Sequence, residues 1–250
     1  MDKKLGGIGA SEIGKLFTRD GMASKGVKTL CVEKCEEILN GEKPRINTVA
    51  MLHGLFNEEE AYNSVVKVFY PSARYRSSES VWIDSNCWAT PDITDEENSL
   101  VIDVKCPYTV SSFYKNLNNL PSSYMYQVQM QMLAMGYDNG MICLYLTSNR
   151  VDGFGNKIEY EIDINDRHSF ITILKDEAIQ KEIPHRVDVF VGMRDTLMVD
   201  LLNAIEVNDS EFFYIHKEKK ITRLKDKSNP FTWGGQIVRN GGIHYVAEDS

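Results

Sequence analysis

The stretch Ala89-Thr90-Pro91-Asp92-Ile93-Thr94-Asp95-Glu96-Glu97-Asn98-Ser99-Leu100-Val101-Ile102-Asp103-Val104-Lys105-Cys106-Pro107 decides the fold. Leu100 to Val104 is rich in β-branched residues and reads as a buried central strand. Side chains alternate along a strand, so Asp103 and Lys105 point to one face. Cys87 to Thr90 reads as a second short strand and Asp95 to Ser99 as the polar turn between the two. Such a hairpin sets Asp92 beside Asp103 and Lys105. Two carboxylates and an ammonium then meet at one sheet edge. Carboxylate oxygens with water suit a hard divalent cation. A bound ion of that kind polarises a phosphate and acidifies a water, and Lys105 can position that water, help deprotonate it or neutralise charge on a phosphorane. Taken alone, the spacing also fits a solvated turn aspartate followed by a strand with one exposed lysine.

Outward from this centre the period changes. Val49, Leu52, Phe56, Ala61, Val65 and Val68 recur at helical spacing, which predicts a long helix from Thr48 to Phe69, stopped by Pro71. Upstream, Thr29 to Leu39 reads as a helix closed by Asn40-Gly41. Ser11 is placed to cap a helix over Glu12 to Phe17, and the glycine-rich turn before it suits a phosphate. Downstream, Val81 to Ile83 is a short strand, Ser122 to Gly136 a helix and Met141 to Leu146 a buried strand. Lys157 to Asp163 alternates as a half-exposed strand. Two helices are predicted near Arg167–Gln180 and Pro184–Ile205.

From Asn208 the character shifts. His216 to Lys227 carries six Lys/Arg against two acids, a net charge of +4. Gln236 to Val246 brackets Asn240-Gly241, a two-residue hairpin signal. We therefore expect residues 1–207 to form one domain and 208–250 a basic segment with a β-hairpin.

The 250 residues are 42% apolar, enough for one substantial core. No apolar run approaches the roughly 20 residues of a bilayer span, and the N-terminus lacks a signal-peptide stretch, so a soluble, cytoplasmic protein is expected. Five cysteines with no C-x-x-C argue against disulfides and tetrahedral zinc. The net charge of −8 counts against non-specific nucleic-acid binding, although an ion-binding site needs local acids.

Five segments in order resemble the phage lambda exonuclease family, the YqaJ-type viral recombinases of the PD-(D/E)xK superfamily. They are Leu5-Gly6-Gly7-Ile8-Gly9-Ala10-Ser11-Glu12, Gly54-x-x-x-Glu58-x-x-Ala61, Ala89-Thr90-Pro91-Asp92, Asp103-Val104-Lys105-Cys106-Pro107 and Tyr124-Met125-x-Gln127-Val128-Gln129. The resemblance implies an α/β, restriction-endonuclease-like core with a central mixed β-sheet flanked by helices. It implies Asp92, Asp103, Glu58 and the carbonyl of Val104 as ligands of Mg²⁺, with Mn²⁺ able to substitute, and Lys105 as the catalytic lysine beside Gln127. Ser11 and Lys4 match residues at the 5′-phosphate of a DNA end, and Arg19 in the next loop is a candidate backbone contact. Lys4 stands where the family carries arginine, which removes a bidentate fork. Ile93 replaces a glycine after Pro-Asp.

The implied activity is digestion of double-stranded DNA from 5′ ends, leaving a 3′ single strand. The implied partners are a single-strand annealing protein and a homo-trimeric assembly, with no membrane. Rival readings are an endonuclease or RecB-type end processor, and a catalytically silent DNA-binding protein of the same fold. Residue by residue, Glu59 and Glu60 read as a solvated face. Gln127 and Gln131 share a helix face that is either polar surface or site. Tyr124 and Tyr126 read as packing residues.

Overall fold

The computed structural model describes residues 4–43, 48–76, 79–147, 150–151, 157–158, 161–208, 236–239 and 242–245. In chain order the strands are β1 (Ile8–Gly9), β2 (Arg74–Tyr75), β3 (Val81–Trp82), β4 (Cys87–Ala89), β5 (Ile93–Asp95), β6 (Leu100–Lys105), β7 (Asn139–Tyr145), β8 (Arg150–Val151), β9 (Lys157–Ile158), β10 (His168–Leu174), β11 (Gln236–Arg239) and β12 (Gly242–Tyr245). The helices are α1 (Lys25–Asn40), α2 (Val49–Ala61), α3 (Lys67–Phe69), α4 (Val110–Asn118), α5 (Ser122–Met135) and α6 (Glu177–Asn208). The α/β class expected from the sequence is what the chain adopts, with mixed sheet and flanking helices. The chain divides into two units: Met1–Gly7, Met22–Pro44 and Asp188–Ser250 form one, Ile8–Gly21 and Arg45–Val187 the other.

The larger unit holds a five-stranded sheet in the order β10-β7-β6-β5-β2 and a three-stranded sheet in the order β1-β4-β3. In the larger sheet β6 and β7 run parallel, and the other pairs are antiparallel. Alternation along β6 and β7 builds a core on each face. Leu100, Ile102, Val104, Cys143 and Tyr145 pack with Ala61, Val65 and Val66. Val101, Ile142 and Leu144 pack with Val128, Met132 and Phe113 on the opposite face. Asp103 lies on that second face, toward α5.

At Gly140 of β7, α5 lies close against the sheet. A Cβ there would stand 2.5 Å from Val128 and 2.9 Å from the sulfur of Met132. Only glycine lets the helix settle this near the sheet.

In the smaller unit, α1 is capped by Ser24 and closed by Gly41 in the left-handed region. Glu37 accepts the N–H of Gly6 at 3.1 Å and pairs with buried Lys34 at 2.7 Å, while Arg194 donates to the carbonyl of Gly6 at 2.6 Å. Cys31 and Cys35 are buried free thiols. The hairpin around residues 240–241 is present as β11 paired with β12. The basic stretch His216 to Lys227 lies outside the described residues.

Several expectations are corrected. The hairpin partner of β6 is β5, and β4 pairs instead with β1 and β3. Pro91-Asp92 is thus the crossing between two sheets. The helix over Arg167–Gln180 is in fact strand β10 followed by the start of α6: the open edge of β7 has backbone groups to satisfy, and β10 pairs with all seven of its residues. One helix, α6, runs through Pro184 where two were predicted. Only Lys157–Ile158 of the strand predicted to Asp163 is a strand among the described residues, and Asp163 caps a short 3₁₀ turn. Thr48 caps the long helix, but a π-helical stretch at Tyr62–Val66 interrupts it and shifts its phase. Ala61 and Val65 are buried, whereas Val49, Phe56 and Val68 are exposed, Phe56 at 76%. Ahead of the π-helical stretch the helix buries Asn57 and Ala61 and sets the ring of His53 edge-on to Tyr108.

Candidate active site

The larger unit opens in a cleft of about 820 Å³ lined by Ser11, Met51, Leu55, Glu58, Lys105 and Gln127, among others. The lysine comes from the end of β6, the glutamine from α5, the glutamate and apolar wall from α2. Asp92 and Asp103 do not line the cleft. Asp103, with 0% exposure, reaches it through Lys105 and Gln127.

The polar contacts form a closed set. Lys105 Nζ lies 2.7 Å from Asp103 Oδ2 and donates to Gln127 Oε1 at 3.2 Å. Gln127 Nε2 donates to Asp103 Oδ1 at 2.7 Å, and Gln131 Nε2 donates to the same oxygen at 3.0 Å. Asp92 Oδ2 accepts the backbone N–H of Val104 at 2.7 Å. The ring of Tyr124 sits 5.0 Å from Lys105 Nζ, so this tyrosine both packs and borders the cleft. Asp92, Asp103, Lys105 and Gln127 therefore come together.

Electrostatics follow from the crowding. Burial, with Asp103 nearby, pushes Asp92 well above the usual carboxylate range, against the pull of Lys105. Burial raises Glu58 to about 7, with Lys105 opposing and Asp103 reinforcing. Burial disfavours the Lys105 ammonium, but Asp103 and Asp92 outweigh it and hold the lysine charged. Burial likewise keeps the Cys106 thiol protonated, which removes it as a nucleophile.

Three carboxyl groups share one ammonium, so once the raised Asp92 and Glu58 ionise the site carries an excess of negative charge. The buried Asp103 Oδ2 takes the Lys105 ammonium at 2.7 Å, through charge and hydrogen bonding together. No three His, Cys, Asp or Glu side chains among the described residues form a ready ion cage. An all-oxygen set of carboxylates and carbonyl completed by water fits a hard cation such as Mg²⁺ and does not need a closed protein cage.

Other predicted residues behave differently. Ser11 is exposed on the cleft but caps no helix: the segment is a single 3₁₀ turn, Ile13–Leu16, preceded by Glu12, whose carboxylate accepts the N–H of Gly9 at 3.2 Å. Glycine-rich sequence there folds into β1, not into a helix start. Arg19 is exposed in the following loop. Lys4 belongs to the smaller unit. Glu59 is exposed as predicted, but Glu60 accepts hydrogen bonds from Tyr145 and Thr147 at 2.7 and 2.9 Å. Gln129 and Gln131 are buried, which rules out a polar helix surface. Gln129 faces away from the acids, donating to Leu174 O at 2.6 Å and accepting from Asp176 N–H at 3.0 Å. Sequence reasoning missed Gln131 as a partner of Asp103, though its four-residue spacing from Gln127 was the signal. It also missed α4, whose capping box of Thr109 and Ser112 begins two residues after Pro107.

A profile of the YqaJ-like viral recombinase domain matches residues 1–138. The chain belongs to that family. This YqaJ-like chain also shares its fold with solved exonucleases. It superposes on the alkaline exonuclease LHK-Exo of Laribacter hongkongensis at a TM-score of 0.64 and 18% identity, covering 82% of this chain and 95% of that one. A phage-related exonuclease from Haemophilus somnus 129PT gives 0.68 and 19% identity, covering 78% and 96%. LHK-Exo in complex with dAMP gives 0.64 and 18%, covering 81% and 95%. No curated protein matches the chain. Among the described residues no helix is long and apolar enough to cross a membrane.

Proposed function

We propose that this YqaJ-like chain is a Mg²⁺-dependent exonuclease that digests double-stranded DNA from 5′ ends and leaves a 3′ single strand for phage-type recombination. The observation that carries the reading is that Asp103, Lys105 and Gln127 are joined by direct contacts beside one cleft, with Asp92 hydrogen-bonded to the amide of Val104 between the first two. Asp92, Asp103, the carbonyl of Val104 and Glu58 would hold the cation, and Mn²⁺ would substitute for it. A bound cation of this kind lowers the pKa of a water and polarises a phosphate oxygen.

The chain's own residues supply the rest. Lys105 offers a permanent positive charge to the developing phosphorane. Gln127 holds Lys105 and Asp103 in register through its two amide atoms. The Ser11 hydroxyl, on the same cleft, donates to the phosphate of the DNA end. Arg19 adds positive charge for the DNA backbone beyond that phosphate, and Lys4 is a candidate for the same role by the family resemblance alone. Burying the acids away from the cleft surface limits their repulsion of DNA on a chain of net charge −8. Residues 1–207 are the nuclease domain and 208–250 an accessory segment. A single-strand annealing protein and two further copies of the chain are the partners this reading brings with it.

Linear and circular duplex, each with Mg²⁺ or with chelator, test the reading. Degradation of the linear form alone, only with Mg²⁺, supports it. Cutting of the circle replaces it with an endonuclease, and no cutting of either with a binding protein.

A further inference from the structure

We infer that Gln131 is a positioning residue of the cation site, selecting which oxygen of Asp103 is offered to the ion. Gln131 is buried, with 0% exposure, one helical turn beyond Gln127 on α5. Both amides donate to Oδ1 of Asp103, at 2.7 and 3.0 Å. Two donors occupy both lone pairs of that oxygen. The other oxygen, Oδ2, receives no amide donor among the described residues and faces the Lys105 ammonium at 2.7 Å. A carboxylate tethered at one oxygen by two amides from a rigid helix cannot swing about its terminal bond. Its second oxygen therefore stays aimed at the lysine end of the cleft.

A purely structural role for Gln131 fits less well. Its own Oε1 is buried with no hydrogen-bond partner among the described residues. An apolar side chain of similar volume would fill the position without that orphaned acceptor. The glutamine is retained for its donor, and the donor has one acceptor, Asp103. Groups that orient a metal ligand typically change metal affinity about 10- to 100-fold when removed.

This inference rests on the nuclease reading and is tested on the full chain by calorimetric titration with Mn²⁺, followed by cleavage of linear duplex. Gln131→Met keeps the volume and removes the donor. We expect its Mn²⁺ affinity to fall about 10- to 100-fold. Turnover should fall at low Mn²⁺ and recover at high Mn²⁺, with KM for DNA unchanged. Should Gln131→Met lose its cooperative melt, Gln131→Asn carries the test, since it keeps an amide that no longer reaches Oδ1 and should show the same loss. Mn²⁺ binding as tight as in the unaltered chain, or a change confined to KM for DNA, overturns the inference and leaves the nuclease reading in place. An unaltered chain that neither binds Mn²⁺ nor cleaves DNA overturns both.

Discussion

Asp92 Oδ2 accepts the backbone N–H of Val104 at 2.7 Å. The acid stands just before β5 and the amide lies within β6, so main chain, not side-chain packing, sets the place of the carboxylate. Val104 is flanked by Asp103 and Lys105, and one hydrogen bond thus brings the three charged residues to a common point.

Asp92→Asn keeps an acceptor for Val104 and removes the charge. We expect cleavage to fall by about 100- to 1,000-fold, on the scale of losing one preorganised electrostatic group. Melting in chelator at pH 8 should be unchanged or higher, because the lost charge was disfavoured by burial and by Asp103. Lys105→Ala should lose a comparable amount of activity with an unchanged circular dichroism spectrum. Substantial residual cleavage in both variants would move the chemistry elsewhere.

Glu58 gives the metal-free protein a pH dependence of defined sign. Its carboxyl is raised from 4.5 to about 7 in the folded chain. The native state therefore holds the proton more tightly than the unfolded one, and stability falls as pH rises through that window, then levels. Melting temperatures in chelator between pH 5 and 8 should show this slope, and Glu58→Gln should flatten it. Cation binding competes with the same proton, so Mn²⁺ affinity should rise as pH passes 7.

The seat of α5 on the sheet is set at Gly140. Gly140→Val would drive its side chain into Val128 and Met132. Overpacking of this kind costs about 1–3 kcal/mol and is read from denaturant unfolding. The displaced helix carries Gln127, so turnover should drop by more than the unfolded fraction explains. A destabilised variant with full specific activity per folded molecule would separate the helix seat from the site.

Gln129 provides the contrast on the same helix. Gln129→Leu strands the carbonyl of Leu174 and the N–H of Asp176. A loss of about 1–3 kcal/mol is expected from two unsatisfied backbone groups, with Mn²⁺ affinity intact. An affinity loss equal to that of a Gln127 substitution would show that the two faces of α5 are not distinct.

End recognition is tested with Ser11→Ala and Lys4→Ala. The unaltered chain should degrade a 5′-phosphorylated end faster than a 5′-hydroxyl end, and each substitution should narrow the ratio. Equal rates on both ends in the unaltered chain would remove these two residues from the site and leave the acids and Lys105 untouched.

The sequence determined the parts that depend on local chemistry and on order along the chain. Alternation along Leu100 to Lys105 placed Asp103 and Lys105 on one face, and helical spacing paired Gln127 with Gln131 before any fold was known. The capped helix closed at Gly41 and the hairpin around residues 240–241 were legible for the same reason: turns and caps are set by a few adjacent residues. Tertiary structure decided what distant backbone groups require. The edge of β7 drew His168–Leu174 into a strand, and β4 was committed to a different sheet from β5. Which oxygen of Asp103 meets the two amides and which meets Lys105 depends on α5 lying close against β7 at Gly140, a contact between segments whose separation in sequence carries no periodic signal.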